Sequence, residues 1–219
     1  MTFRVLIAGG TGQVGSAVVR ALLECAECEE VVAVVRKESA LDSRVRQVVL
    51  DSAAATFDAD VTKLAKSCIE LGEPVYGVSC IGIGKGTGSW SEDDLTKLEV
   101  GVVGAFARGC RAGGIERFGL LSAAGSTAKS RIKYVRVMGK KEDAVKAISF
   151  PRLAIFRPGI IAGNVNTPGY VSVLGRLVPG AYGTIEQDDI GRAFVRQLAN
   201  GTPGVTLLDN GAMKKLARA

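Results

Sequence analysis

Two spacings of apolar residues alternate along the whole chain. Short apolar runs of strand length recur near 3–8, 31–36, 46–50, 75–81, 117–122, 152–157 and 205–208. Between them, apolar residues fall at helical intervals near 13–26, 60–71, 92–113, 131–148 and 187–199, with a short closing helix after Asn210. This order predicts an α/β fold of βα units, a doubly wound and mostly parallel sheet of about seven strands. No internal repeat, low-complexity segment or linker interrupts it, so residues 1–219 are expected to form one domain. The stretch 158–183, rich in Gly and Pro, follows the sixth strand. Ligands of open parallel sheets sit beyond the carboxyl ends of the strands, so this stretch is expected to be a substrate lid, too short for a domain of its own.

The junction of first strand and first helix is Gly9-Gly10-Thr11-Gly12-Gln13-Val14-Gly15. In a strand-turn-helix connection one glycine permits the tight reversal, one lets backbone reach a pyrophosphate, and one lets the helix lie close on the strand. Gly9, Gly12 and Gly15 have the spacing for those tasks, and the amides of a helix starting near Gln13 would face the phosphates. The turn therefore reads as a dinucleotide cradle involving Gly9, Thr11, Gly12, Gln13, Val14 and Gly15.

Composition narrows the chemistry. The chain of 219 residues contains no histidine, which removes Ser-His-Asp and Cys-His catalysis and His-containing zinc sites; no metal site is expected. Five scattered cysteines point to reduced thiols inside the cell, and the expected location is cytoplasmic. Cys25 and Cys28 form a C-x-x-C at the end of the first helix, where packing explains them better than redox chemistry. With a first core strand starting at Phe3, no cleavable leader is expected, and no apolar run reaches the roughly 20 residues of a membrane span. The net charge of +6 is densest at Lys129, Arg131, Lys133, Arg136, Lys140 and Lys141. With Tyr134 the only aromatic among them, this stretch reads as a solvated helix face, not as a nucleic-acid site.

Cofactor preference is legible at the end of the second strand. An NAD site would usually carry an acid there, whereas Arg36 and Lys37 suit a 2′-phosphate, so NADP(H) is expected over NAD(H); the alternative leaves Glu38 on the ribose. Asp51 is placed either to accept from the adenine amino group or to cap a turn. The run 82–89 has glycines and Lys85 but lacks the Gly-Lys-Ser/Thr order of a P-loop. It reads as a loop whose start, Cys80-Ile81-Gly82, passes beside the cofactor ribose, with Lys85 a candidate for touching phosphate or substrate. Ser122 ends the fifth strand, and Tyr134 follows it on a helix. Both can point into the crevice, Tyr134 to exchange a proton with a substrate oxygen and Ser122 to hold that oxygen.

The series GGTGQVG at 9–15, LLSAAGS at 120–126, Tyr134, FRPG at 156–159 and EQDDIGRAF at 186–194 resembles the short-chain dehydrogenase/reductase superfamily. Within it, the series resembles the atypical branch of Tat-interacting oxidoreductase-like NAD(P)-binding proteins. The resemblance spans nearly the whole chain. It implies a Rossmann-type domain, NADP(H) binding, Ser122 and Tyr134 as catalytic partners, and Pro158-Gly159 at the nicotinamide end. Asp188 and Asp189 suit the start of the following helix. The family pattern Y-x-x-x-K is broken, since the fourth residue after Tyr134 is Met138. A lysine there would hold the ribose and lower the phenol pKa; methionine has neither charge nor donor. Lys140 and Lys141 lie one and a half to two turns away, and Arg131 one turn before. A tyrosine needed only in its protonated form is expected to sustain reduction better than oxidation. Two readings follow: hydride transfer to a small carbonyl substrate, or a non-catalytic NADP(H)-binding sensor that reports to a protein partner, as monomer or homodimer.

Overall fold

A computed structural model describes residues 2–83, 89–163 and 180–219. Seven strands make one sheet: β1 (Phe3–Ala8), β2 (Cys28–Val35), β3 (Val45–Val49), β4 (Val75–Ser79), β5 (Arg117–Leu121), β6 (Arg152–Phe156) and β9 (Gly204–Leu208). Their spatial order is β3-β2-β1-β4-β5-β6-β9 and every pairing is parallel. The chain winds outward from β1 to β3, then crosses back to lay β4 on β1's other side. The crevice that opens at this reversal is where such sheets bind ligands. Two short strands, β7 (Ile160–Ile161) and β8 (Thr184–Ile185), pair separately and flank the stretch expected to be a lid; its residues 164–179 lie outside the described residues, as does Lys85.

The central strands are apolar on both faces because helices cover both. Val5 and Ile7 of β1 join one core cluster with α1 (Gln13–Leu23), α6 (Gln187–Asn200) and α7 (Asn210–Arg218). Leu6 and Ala8 face the other cluster, with α2 (Phe57–Ile69), α4 (Val103–Ala112) and α5 (Lys133–Lys146). Asp188 and Asp189 sit in the first turn of α6, where their charge suits the helix dipole, and Asp188 also pairs with Arg20 of α1 at 2.7 Å.

Three local expectations need revision. The span 92–113 is not one α-helix: α3 (Glu92–Thr96) passes into a π-helical turn, Lys97–Val102, before α4 begins. Ser91 caps α3, accepting from the Asp94 amide at 3.0 Å. Next, α1 stops at Leu23 and β2 starts early, so Cys28 opens a strand. Burial pushes the Cys28 thiol up to about 12, which leaves it unreactive. Finally, the basic stretch 129–141 is only partly a solvated face. Arg136 and Lys140 both bind Glu92 of α3, and Lys141 is fully buried.

Candidate functional site

The glycine turn shows why each glycine is there. Gly9 has φ +81°, and a Cβ on it would lie 2.5 Å from the Cys80 carbonyl carbon and the Ile81 nitrogen, so the turn rests directly on the end of β4. A Cβ on Gly15 would run into the Gly9 carbonyl, which is the close seating of helix on turn. Gly12 differs: a Cβ there would meet only the Gly9 carbonyl oxygen, at 3.3 Å, and the residue is exposed. It occupies the N-cap of α1 without a capping side chain, and the first turn holds no acid. Open backbone at a positive helix end fits a pyrophosphate. Around it, Thr11 is exposed, Gln13 half-buried and Val14 buried in the core.

Past β2, Arg36 and Lys37 are exposed and form no ion pair among the described residues, and neither does Glu38. The loop they open is braced by Gln47 of β3, which accepts from the Ser39 amide at 3.0 Å and donates to its carbonyl at 2.9 Å. Asp51 accepts from the Ala53 amide at 2.9 Å and so closes a turn with one of its two oxygens. Beyond it opens a cavity of about 920 Å³, lined by Ala53, Phe57, Trp90, Leu98, Val102 and Ala105 among others. It lies between the segment that follows β3 and the run from α3 to α4, and its lining does not include Ser122 or Tyr134.

At the centre, Cys80 continues β4, its amide donating to the Ala8 carbonyl at 2.8 Å; burial pushes its thiol up to about 12. Ile81, Gly82 and Ile83 lead away from it. The Ile83 amide donates to Oε1 of Glu99 at 3.2 Å, and the other oxygen of Glu99 binds Lys141 Nζ at 2.8 Å. Both side chains of that pair are 1% exposed.

Ser122 is buried, and its hydroxyl lies 2.6 Å from Glu142 Oε1 and 3.2 Å from Ser126 Oγ. Ser126 gives its proton to the Ala123 carbonyl at 2.7 Å, so the Ser122 proton goes to the nearer carboxylate. Glu142 also receives both arms of Arg157, at 2.8 and 2.5 Å. This network ties the ends of β5 and β6 to α5. In this arrangement Ser122 has no proton left for a substrate oxygen.

Tyr134, in the first turn of α5, has no hydrogen-bond partner among the described residues. Burial, then the negative charge of Glu99, push its phenol well above the ordinary tyrosine value. Met138, one turn on, is 3% exposed and brings no charge. Arg131 is exposed. The Pro158 carbonyl accepts from Ala124 at 2.9 Å, and the Gly159 amide donates to Asn210 Oδ1 at 2.9 Å. Asn210 in turn donates to the Gly183 carbonyl at 2.6 Å, holding the segment after β6 against the start of α7.

The sequence reading gave no role to Glu99, Glu142 or Arg157, and took Lys141 for a solvated cation too far along the helix to replace the lysine absent at position 138. A signal existed for two of them. Along α5 the buried apolar stripe is Val137, Met138 and Val145, and helical spacing puts Lys141 and Glu142 on it.

A reversal crevice and a glycine cradle at a helix start define a dinucleotide-binding protein of the Rossmann type. The chain belongs to the NAD(P)H-binding family, whose model matches residues 9–201. It is 28% identical over 160 residues to "Protein FMP52, mitochondrial" of Meyerozyma guilliermondii, covering 73% of this chain and 66%, just under two thirds, of that one. A protein of the same name from Emericella nidulans is 28% identical over 202 residues, 87% of this chain and 85% of its own. In fold, the chain is similar to the Bordetella bronchiseptica enzyme WbmH in complex with NAD+, with a TM-score of 0.70 at 17% identity over 100% of this chain and 80% of that one. The names of the relatives overturn the cytoplasmic expectation. Free thiols indicate a reducing compartment without saying which one. Among the described residues no helix is long and apolar enough to cross a membrane.

Proposed function

We propose that this chain is an NADP(H)-dependent reductase of small carbonyl compounds in which Tyr134 delivers the proton. The observation that carries this reading is the tyrosine itself, a phenol kept protonated by burial and by Glu99, with its hydroxyl unclaimed by the described residues. Backbone at Gly9, Gly12 and Gly15 would hold the pyrophosphate, with Thr11, Gln13 and Val14 shaping the turn. Arg36 and Lys37 would take the 2′-phosphate. Asp51 would reach the adenine amino group with its second oxygen, beside the 920 Å³ cavity. Cys80, Ile81 and Gly82 would border the ribose, and Pro158-Gly159 the nicotinamide end.

A bound nicotinamide cofactor supplies a hydride to the carbonyl carbon. The chain's own task is to place the carbonyl oxygen against Tyr134 Oη and give it a proton as negative charge develops there. Ser122, its proton held by Glu142, serves in this reading as the tie that keeps the ends of β5 and β6 in register with α5, not as a second donor.

A second reading, a non-catalytic NADP(H) sensor, is favoured by the same committed Ser122 and by the buried Met138. One experiment separates them. NADPH and NADH are titrated into the purified chain, and carbonyl-dependent NADPH consumption is followed with wild type and Tyr134→Phe. The reductase reading expects tighter binding of NADPH and a loss of turnover of about 10²-fold or more in the variant. Binding with no Tyr134-dependent turnover selects the sensor, and no binding removes both. The relatives' names support a mitochondrial location for this chain, checked by fractionating cells that express the full chain with a tag; recovery in the cytosol alone would refute it.

A further inference from the structure

The buried pair Glu99–Lys141 lies beside the site, and the scheme above uses only the negative charge that Glu99 sets near Tyr134. Its cost is evident on physical grounds. A buried ion pair is often no more stabilising than apolar side chains of the same size. Glu99 also sits on a π-helical turn, a rare winding that is frequent at functional positions. The carboxylate is used on both sides: Oε2 binds Lys141 at 2.8 Å, Oε1 receives the Ile83 amide at 3.2 Å, and a Cβ on Gly82 would lie 3.5 Å from that same oxygen. Lys141 is seven residues after Tyr134, two turns along the same face of α5.

We propose that Glu99 is a positioning residue of the site: from the π-helical turn it clamps the strand-end segment 80–83 to the helix carrying Tyr134, with Lys141 as its buried counter-ion. Resting on the reductase reading, this gives Glu99 the task of joining cofactor segment and proton donor, which Met138 cannot perform. The charges around Tyr134 are then Glu99 from the π-helical turn and Lys141 neutralising it from α5; the Cys80 thiol at the end of β4 is uncharged. Arg136 and Lys140 of α5 are taken up by Glu92 of α3.

Removing one member of the pair leaves the other buried and unpaired, so double variants are the test. In E99Q/K141M the glutamine oxygen still accepts from Ile83 but the charge is gone; in E99M/K141M both are lost. Melting curves establish that each is folded. E99M/K141M is expected to raise the NADPH Kd about tenfold, the order of one lost hydrogen-bonded tether. E99Q/K141M, which keeps the acceptor for Ile83 without the charge, is expected to hold the Kd within about twofold of wild type. A pair that serves only the fold would give the two double variants the same Kd. Wild-type Kd in E99M/K141M, or a Kd raised equally in E99Q/K141M, overturns the proposal alone. Failure of wild type to bind NADPH overturns the reductase reading, and this one with it.

Discussion

A free tyrosine phenol, with a pKa of about 10, is already protonated at neutral pH, and burial and Glu99 push Tyr134 further in that direction. This changes how the missing lysine should be tested. At any one pH, detailed balance ties the forward and reverse rates together, so the loss of a cation at position 138 cannot favour one direction by itself; it has to appear as a pH dependence. Carbonyl reduction is expected to show a flat kcat/KM from about pH 6 to about pH 9, with no ionisation of Tyr134 cutting into it. A descending limb near neutral pH, absent from Tyr134→Phe, would show the phenol to be acidified after all. The sign for stability is the same: a raised acid pKa stabilises the fold below the ordinary tyrosine value and the contribution is lost as pH rises past it. The places of Ser122 and Tyr134 were legible, one just past a strand end and the other in a helix's first turn. What Ser122 binds was not, because Glu142 and Arg157 approach it from two other elements.

Elements were legible where one spacing persists. The apolar runs located every strand of the main sheet, and glycine spacing located the start of α1. The π-helical turn escaped because its signature is a changed hydrogen-bond register, while Leu98, Val102 and Val103 still look helical. α5 offers a sharp check on element packing. A Cβ on Gly139 would run into the Ala128 nitrogen and the Thr127 carbonyl carbon, backbone that cannot rotate away. Gly139→Ala is expected to cost about 1–3 kcal/mol in urea unfolding. It should also impair Tyr134-dependent turnover more than NADPH affinity, because the helix that must move carries the tyrosine and the phosphate turn lies on the opposite side of β4. Full stability would show that α5 can shift away from the 127–128 backbone at no cost.

Across the molecule, charge fastens α5 twice, to α3 on the surface and to the π-helical turn inside. Arg136 and Lys140 beside Glu92 hold its carboxyl down to about 2. A lowered carboxyl pKa contributes stability above the ordinary carboxylate value, and that contribution is lost as pH falls toward 2. Urea midpoints should therefore fall less between pH 5 and pH 3 in Glu92→Gln than in wild type, with added salt shrinking the difference, as screening requires for exposed charges. Equal slopes would mean that these ion pairs contribute nothing measurable. The sheet order carries a consequence in time. β1, made first, is the middle of the sheet, and its glycine turn closes only against Cys80 and Ile81. A nascent chain that has not yet delivered β4 thus has the whole glycine motif and no cradle. Nucleotide affinity should arise in one step during synthesis, when roughly the first third of the chain is free to fold.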